Sequence, residues 1–354
     1  MKTDRVYALS RRACLQRLAL AGAAAAYGAR PLGAQSTQRA SQRWQQSVRS
    51  GLDYLARTQS SRGQWNAPPY PVALSALAGT ALLASGSTTT QGPYSKEIAR
   101  CADFLISKSR TNGLIGDPAT DIRYTYGHGF SMLFLSQVLG EEGYEDRRSE
   151  LLDVLGRAVD FCAKAQTSAG GWGYVSARDG ANYDEGSTTI TQVQGLRGCR
   201  NAGITVPAEV IDRAKKYIYD CKNDDGGISY SSKQMGTSRP AITAAALAAL
   251  YNAGDYDSKH VPQMLKYAQE TLHTLADEHA AFGHWHYTYL YYSQVVYRQG
   301  DEVWLSFRDR LYEHIISQQE SDGSWKGQIS EIYITACNLI MLQLDHGLLP
   351  IYQR

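Results

Sequence analysis

The sequence predicts an all-α protein, a toroid of about six helix hairpins in which one ring of helices encloses another. Three observations carry that expectation. One phrase recurs in register, helices of two compositions alternate along the chain, and the pair returns about every 50 residues, a period that suits helix-hairpin arrays.

The phrase reads "GLDYLARTQSSRGQW" at 51–65, "AVDFCAKAQTSAGGW" at 158–172 and "LYEHIISQQESDGSW" at 311–325. In each, a ring side chain (Tyr54, Phe161, His314) is followed by a glutamine (Gln59, Gln166, Gln319), then a glycine (Gly63, Gly170, Gly323) and a tryptophan (Trp65, Trp172, Trp325) at constant spacing. Weaker copies hold the same register at 101–115 (Phe104, Ser109, Gly113, Ile115) and 214–228 (Tyr217, Lys222, Gly226, Ile228). A sixth copy keeps Tyr267 and inserts extra residues before Gly283.

Each hairpin pairs two kinds of helix. The first is amphipathic, as in "RRSELLDVLGRAVDFCAKAQ", where Leu151, Leu155, Val159 and Cys162 fall at helical spacing. The second is small or apolar nearly all round: "PVALSALAGTALLA", "YGHGFSMLFLSQVLG", "AITAAALAALYNAG" and "EIYITACNLIMLQL". A helix without a polar face is expected to be buried, so the amphipathic helices form the outer ring. Gly86, Gly140, Gly203 and Gly254 follow inner helices, as helix ends prefer.

The N-terminus reads differently. "SRRACLQRLALAGAAAA" places Arg11 and Arg12 before a short apolar stretch, and "PLGAQS" follows. A charged start, a modest apolar run and a small-residue exit describe a secretory signal, and the paired arginines resemble a twin-arginine signal. The expected division is therefore a signal at 1–34, cleaved near Ala34, and a toroid at 41–345 in an exported, periplasmic protein. A membrane anchor would need about 20 unbroken apolar residues; this run is shorter and contains Arg17. Membrane contact is expected only in passage.

At 354 residues the chain can bury a large core. Its net charge of +2 is dispersed and the body of the chain has no basic run, so no nucleic-acid partner is expected. Five cysteines follow the signal (Cys101, Cys162, Cys199, Cys221, Cys337) with no CxxC spacing, so neither a disulfide framework nor a thiolate metal site is expected.

The aromatic-x4-Gln-x3-Gly-x-Trp pattern is similar to the repeat of squalene and hopene cyclases, whose toroid is shared with protein prenyltransferase β-subunits. In that family the Gln caps a helix and stacks on the Trp, so the resemblance implies that Trp65, Trp172 and Trp325 are structural. It covers about 41–345.

In a double ring the cavity lies at the starts of the inner helices, where helix dipoles favour anions. Candidate site residues are therefore those just after each repeat loop. Asp121, Tyr124, Tyr126 and His128 come from the second hairpin, and Tyr183, Asp184 and Glu185 from the third. Tyr230 and Arg239 precede the fourth inner helix; His286 and Tyr287 open the fifth; Glu331 and Tyr333 open the sixth. Asp184, Glu185, His128 and Asp121 are the catalytic candidates, and the tyrosines with Arg239, His286 and Glu331 the substrate-binding ones.

The resemblance also limits the chemistry. Laid on the cyclase acid motif D-x-D-D-T, "EGSTT" puts Glu185 first and Thr189 last, with Ser187 and Thr188 at the two central acids. A hydroxyl cannot protonate an alkene. Zinc-dependent prenylation resembles D-x-C near this position, but Asp184 leads to Gly186, and the last inner helix offers Glu331 and Tyr333 in place of histidine. No metal and no cofactor are expected. The leading expectation is an exported member of this group with a lipid-like (terpenoid) or sugar-like ligand in its cavity, with acid–base catalysis as an added option. The alternatives are a lyase- or glycosidase-like toroid enzyme, for which Tyr, His and Arg supply lyase chemistry and paired acids hydrolysis, and a non-catalytic interaction scaffold. The sequence leaves the oligomeric state open.

Overall fold

The computed structural model describes residues 32–180, 182–275 and 284–353. Residues 1–31 of the expected signal and Gly283 of the sixth repeat lie outside the described residues. Trp44–Arg354 forms one compact unit, separate from Met1–Arg43, and the architecture below is that of the larger unit.

In chain order the helices are α1 (Leu32–Thr58), α2 (Pro71–Ala84), α3 (Ser95–Ser107), α4 (Tyr124–Val138), α5 (Glu145–Ala165), α6 (Gly186–Asn201), α7 (Ala208–Asp220), α8 (Pro240–Asn252), α9 (Val261–Leu272), α10 (Trp285–Arg298), α11 (Asp301–Ser317) and α12 (Glu331–Leu342). Two short 3-10 turns end the chain, and no strand occurs among the described residues beyond isolated bridges. Composition explains the alternation. Pro71 and Pro240 start α2 and α8 at the one helical position that needs no N–H donor. These even-numbered helices, rich in Ala and Leu, are buried along nearly their whole length. The odd-numbered α3, α7 and α9 bury a single stripe.

The inner helices touch in sequence from α2 through α12, and α12 packs back on α2, so the inner ring is closed. The outer ring is closed by the repeat loops. Gln59 Nε2 donates to Glu97 O of α3 at 2.8 Å, Gln166 Nε2 to Val210 O of α7 at 2.9 Å, and Gln319 Nε2 to Ser47 O of α1 at 2.9 Å. Each amide thus leaves its own hairpin and binds the next outer helix; the last of the three joins the final hairpin to the first. The tryptophans bind the other way. Trp65, Trp172 and Trp325, all buried, donate their indole N–H to Leu55 O, Cys162 O and Ile315 O of the helix just finished, at 2.7–2.9 Å. One residue of the phrase fastens the loop to its own helix and the other to its neighbour.

A third fastening joins each loop to its inner helix. The backbone N–H of Trp65, Ile115, Trp172, Ile228 and Trp325 donates to Ser75 Oγ, His128 Nδ1, Thr189 Oγ1, Thr243 Oγ1 and Thr335 Oγ1, at 2.9–3.1 Å. Four repeats use a hydroxyl in this slot. The second uses an imidazole.

Candidate active site

A cavity of about 360 Å³ opens at the N-terminal ends of the inner helices, and all six inner helices contribute to its wall. Its lower wall is apolar, with Leu74 and Leu77 of α2, Phe130 of α4, Ile242 of α8 and Leu290 of α10. Six tyrosines surround them: Tyr70, Tyr126, Tyr174, Tyr230, Tyr287 and Tyr333. Arg123, Arg239 and His284 complete the mouth with Ile329, and among the described residues no carboxylate lines the cavity.

Two hydrogen-bonded chains organise these groups. On one side the Tyr174 and Tyr230 hydroxyls bond to each other, the Arg123 guanidinium lies 4.3 Å over the Tyr174 ring, and that of Arg239 lies 5.7 Å over Tyr230. Opposite, the Tyr126 hydroxyl bonds to Ser187 Oγ, which donates to Glu185 Oε2 at 2.6 Å. A serine hydroxyl has one proton. Because Ser187 gives its proton to Glu185, Tyr126 must donate to Ser187 and keeps only acceptor capacity for the cavity.

The predicted site residues divide sharply. Tyr126, Tyr230, Arg239, Tyr287 and Tyr333 line the cavity together; the other eight do not. Glu185 is fully buried and caps α6, accepting from Ser187 N at 2.9 Å and Thr188 N at 2.5 Å. It reaches the cavity only through Ser187. Burial pushes its carboxyl up, against the pull of those hydrogen bonds downward. Asp184 turns away to the following loop, where it accepts from Ser232 N at 2.8 Å, Ser232 Oγ at 2.7 Å and Ser231 Oγ at 3.2 Å. Asp121 is buried in the loop before α4 and accepts from Arg123 N at 2.9 Å; burial raises its carboxyl too.

His128 corrects the expectation of a general base in the cavity. Its Nδ1 accepts from Ile115 N at 3.1 Å, its Nε2 donates to Ala158 O at 3.1 Å, and its ring packs edge-on against Phe161. Fully buried, it is held neutral, its pKa lowered to about 4 by desolvation. Tyr124 binds Asp179 Oδ2 at 2.7 Å on the far side of α4 from Tyr126, because residues two apart on a helix do not share a face. His286 likewise packs on Trp285, leaving His284 at the cavity. Tyr183 is half-buried in the loop before α6. Glu331 is exposed at the start of α12 and accepts from the Tyr54 hydroxyl at 3.2 Å.

Tyr70, Arg123, Tyr174 and Ile329 escaped the sequence reasoning. Tyr174 stands two residues after Trp172, inside a phrase read as structural, and Tyr70 precedes the first inner helix after an unremarkable proline run. Position before an inner helix was the available signal: Arg123 precedes α4 as Arg239 precedes α8.

Chemically, the cavity offers neutral hydroxyls and cations over an apolar floor. Burial pushes the hydroxyls of Tyr126, Tyr287 and Tyr333 well above the ordinary tyrosine range, and that of Tyr174 upward, so they act as hydrogen-bonding groups rather than phenolate bases. Among the described residues no three His, Cys, Asp or Glu gather to hold a metal ion. Asp184→Ala is expected to release the 229–236 loop at a cost of about 1–3 kcal/mol, read by urea denaturation; unchanged stability would show that the three hydrogen bonds hold nothing.

The closed α/α toroid is a fold shared with type II terpene cyclases and GH76 mannanases among solved structures. The squalene–hopene cyclase C-terminal domain family matches residues 129–304, and over that span the chain is similar to it. None of the curated proteins compared matches the sequence. Among solved structures, a variant of the type II terpene cyclase MstE from Scytonema, in complex with merosterolic acid A, superposes with a TM-score of 0.61 at 15% identity, covering 89% of this chain and 99% of its own. An inactive variant of the α-1,6-mannanase GH76A of Salegentibacter sp. HEL1_6, in complex with α-1,6-mannotetrose, reaches the same TM-score of 0.61 at 8% identity, covering 85% and 98%. At these identities both likenesses are of fold.

Proposed function

We propose that this chain is an exported cavity protein of the terpenoid cyclase superfamily that binds a small lipid-like, terpenoid ligand and lacks the acid for hopene-type cyclisation. One observation carries the reading: among the described residues the cavity wall is largely apolar and aromatic, with no carboxylate on it. Ser187 and Thr188 occupy the central acid positions of the cyclase motif, and Glu185, the one acid left there, is taken up by the first turn of α6. Hydrolysis of a glycoside ordinarily needs two carboxylates flanking the bond, and the described residues of the cavity wall present none. Lyase chemistry needs a base; burial works against ionising the tyrosines, and His284 is the imidazole on the described wall. A volume of about 360 Å³ lies at the small end of ligand pockets, about 300–1,000 Å³. Such a space suits an isoprenoid of a few units better than an extended polysaccharide, and an unfilled cavity argues against a pure scaffold. Export rests on Arg11, Arg12 and the short apolar run after them.

The test is native mass spectrometry of the protein recovered from the periplasm of its own cell. The expected result is a mature chain starting near residue 35 with a retained low-mass apolar ligand. A retained oligosaccharide would overturn the ligand class, and a chain confined to the cytoplasm with its N-terminus intact would overturn export.

A further inference from the structure

We propose that the ligand of this cavity carries a carboxylate, bound by Arg123 and Arg239; the inference rests on the cavity reading above and specifies its ligand. Both guanidiniums line the cavity, and neither has an ion-pair partner among the described residues. The nearby acids lie off the cavity wall. Asp121 is buried in the loop, where its Oδ1 takes the backbone N–H of Arg123 and its Oδ2 has no hydrogen-bond partner, and Glu185 takes two backbone N–H groups of α6 and the Ser187 hydroxyl. The two arginines place positive charge at the cavity mouth, and no acidic side chain stands on the described wall.

Position strengthens that field. Arg123 stands immediately before α4 and Arg239 immediately before α8, and neither helix start has a side-chain cap. Between them, α6 is capped by Glu185, so its dipole is already answered. The cations are also held in place: each guanidinium lies over a tyrosine ring, and the two tyrosines are joined through their hydroxyls. Neither guanidinium spends an N–H donor on another described side chain, which leaves donors for a ligand, and a guanidinium fork matches the two oxygens of a carboxylate. Leu74, Leu77, Phe130 and Ile242 lie on the same cavity wall for the hydrocarbon. The ligand class is thus an isoprenoid or similarly branched hydrocarbon acid.

The experiment titrates the purified protein by intrinsic fluorescence with geranic acid, its methyl ester and geranyl phosphate at neutral pH. The double variant Arg123→Gln/Arg239→Gln is titrated alongside. The expected result is that geranate binds about ten-fold or more tightly than the ester. In the double variant the acid should fall to the affinity of the ester, and ester binding should be unchanged. Equal binding of acid and ester by the wild type would overturn the carboxylate assignment and leave the apolar cavity reading standing. So would tighter binding of geranyl phosphate. Loss of acid and ester binding together in the double variant, with the melting temperature kept, would show that the arginines shape the cavity rather than read a charge. Failure of all three probes on the wild type would overturn the cavity reading as well.

Discussion

Gly323→Ala should destabilise this protein by at least about 4 kcal/mol, whereas Gly203→Ala, at the same backbone angle, should cost only about 1–2 kcal/mol. Both glycines have φ of +90°, where a side chain is strained whatever surrounds it. They differ in what a Cβ would meet. At Gly203 nothing lies within 4 Å; at Gly323 the carbonyl oxygen of Ser50 lies 2.3 Å away. That oxygen is backbone in the middle of α1, so it cannot swing aside as a side chain would. The added methyl must push the last repeat loop off the first outer helix, at the junction that Gln319 and Ser47 also make. The other described repeats are built alike: at Gly63, Gly113, Gly170 and Gly226 a carbonyl oxygen of the next outer helix lies 2.0–2.4 Å from the place a Cβ would take. Urea denaturation of the two single variants measures the difference. Equal losses would mean that the loops merely touch the neighbouring helix and that the outer ring is closed by something else.

Acidification should cost the protein about 3 kcal/mol of stability through His128 alone, between pH 6.5 and pH 4. In the folded chain this ring is neutral, with a pKa lowered to about 4 by complete burial, against an ordinary value of 6.5. A base with a depressed folded pKa stabilises above the unfolded value. That contribution is lost as pH falls, because the unfolded chain takes up a proton that the folded chain refuses. The loss therefore begins near pH 6.5 and is complete near pH 4. Glu185 moves oppositely, since its raised carboxyl pKa favours the fold at low pH, so the raw pH profile mixes the two. His128→Thr separates them. It installs the hydroxyl that Thr189, Thr243 and Thr335 use in the same slot, and it cannot titrate. The variant should be less stable at pH 7, having lost its packing on Phe161, but its profile should lack the His128 component. Parallel profiles for wild type and variant would sink the assignment.

His128 also shows where sequence reasoning went astray. A histidine near the start of an inner helix looks like a catalytic group because its chemistry permits one. Only the set of loop-to-helix hydrogen bonds shows that it fills a slot given elsewhere to serine or threonine. Asp184 and Glu185 misled similarly. Their position beside the cavity was readable, but the direction of their oxygens was not, since a carboxylate one residue before a helix can cap that helix or face a ligand with equal ease. Tyr124 and Tyr126 illustrate the same limit on one helix: both lie in the predicted stretch, and a turn of about 200° sends one to Asp179 and the other to Ser187.

What the chain determined by itself was the ring. The Gln-Gly-Trp phrase, the alternation of amphipathic and apolar helices and the repeat length are local patterns, and each hairpin obeys them without reference to distant residues. Tertiary structure alone decided which side chains face the hollow and which acids are already spent. Those outcomes depend on helix phase and on partners such as Ser231, Ser232 and Ala158, 30 to 48 residues away, which no spacing rule specifies.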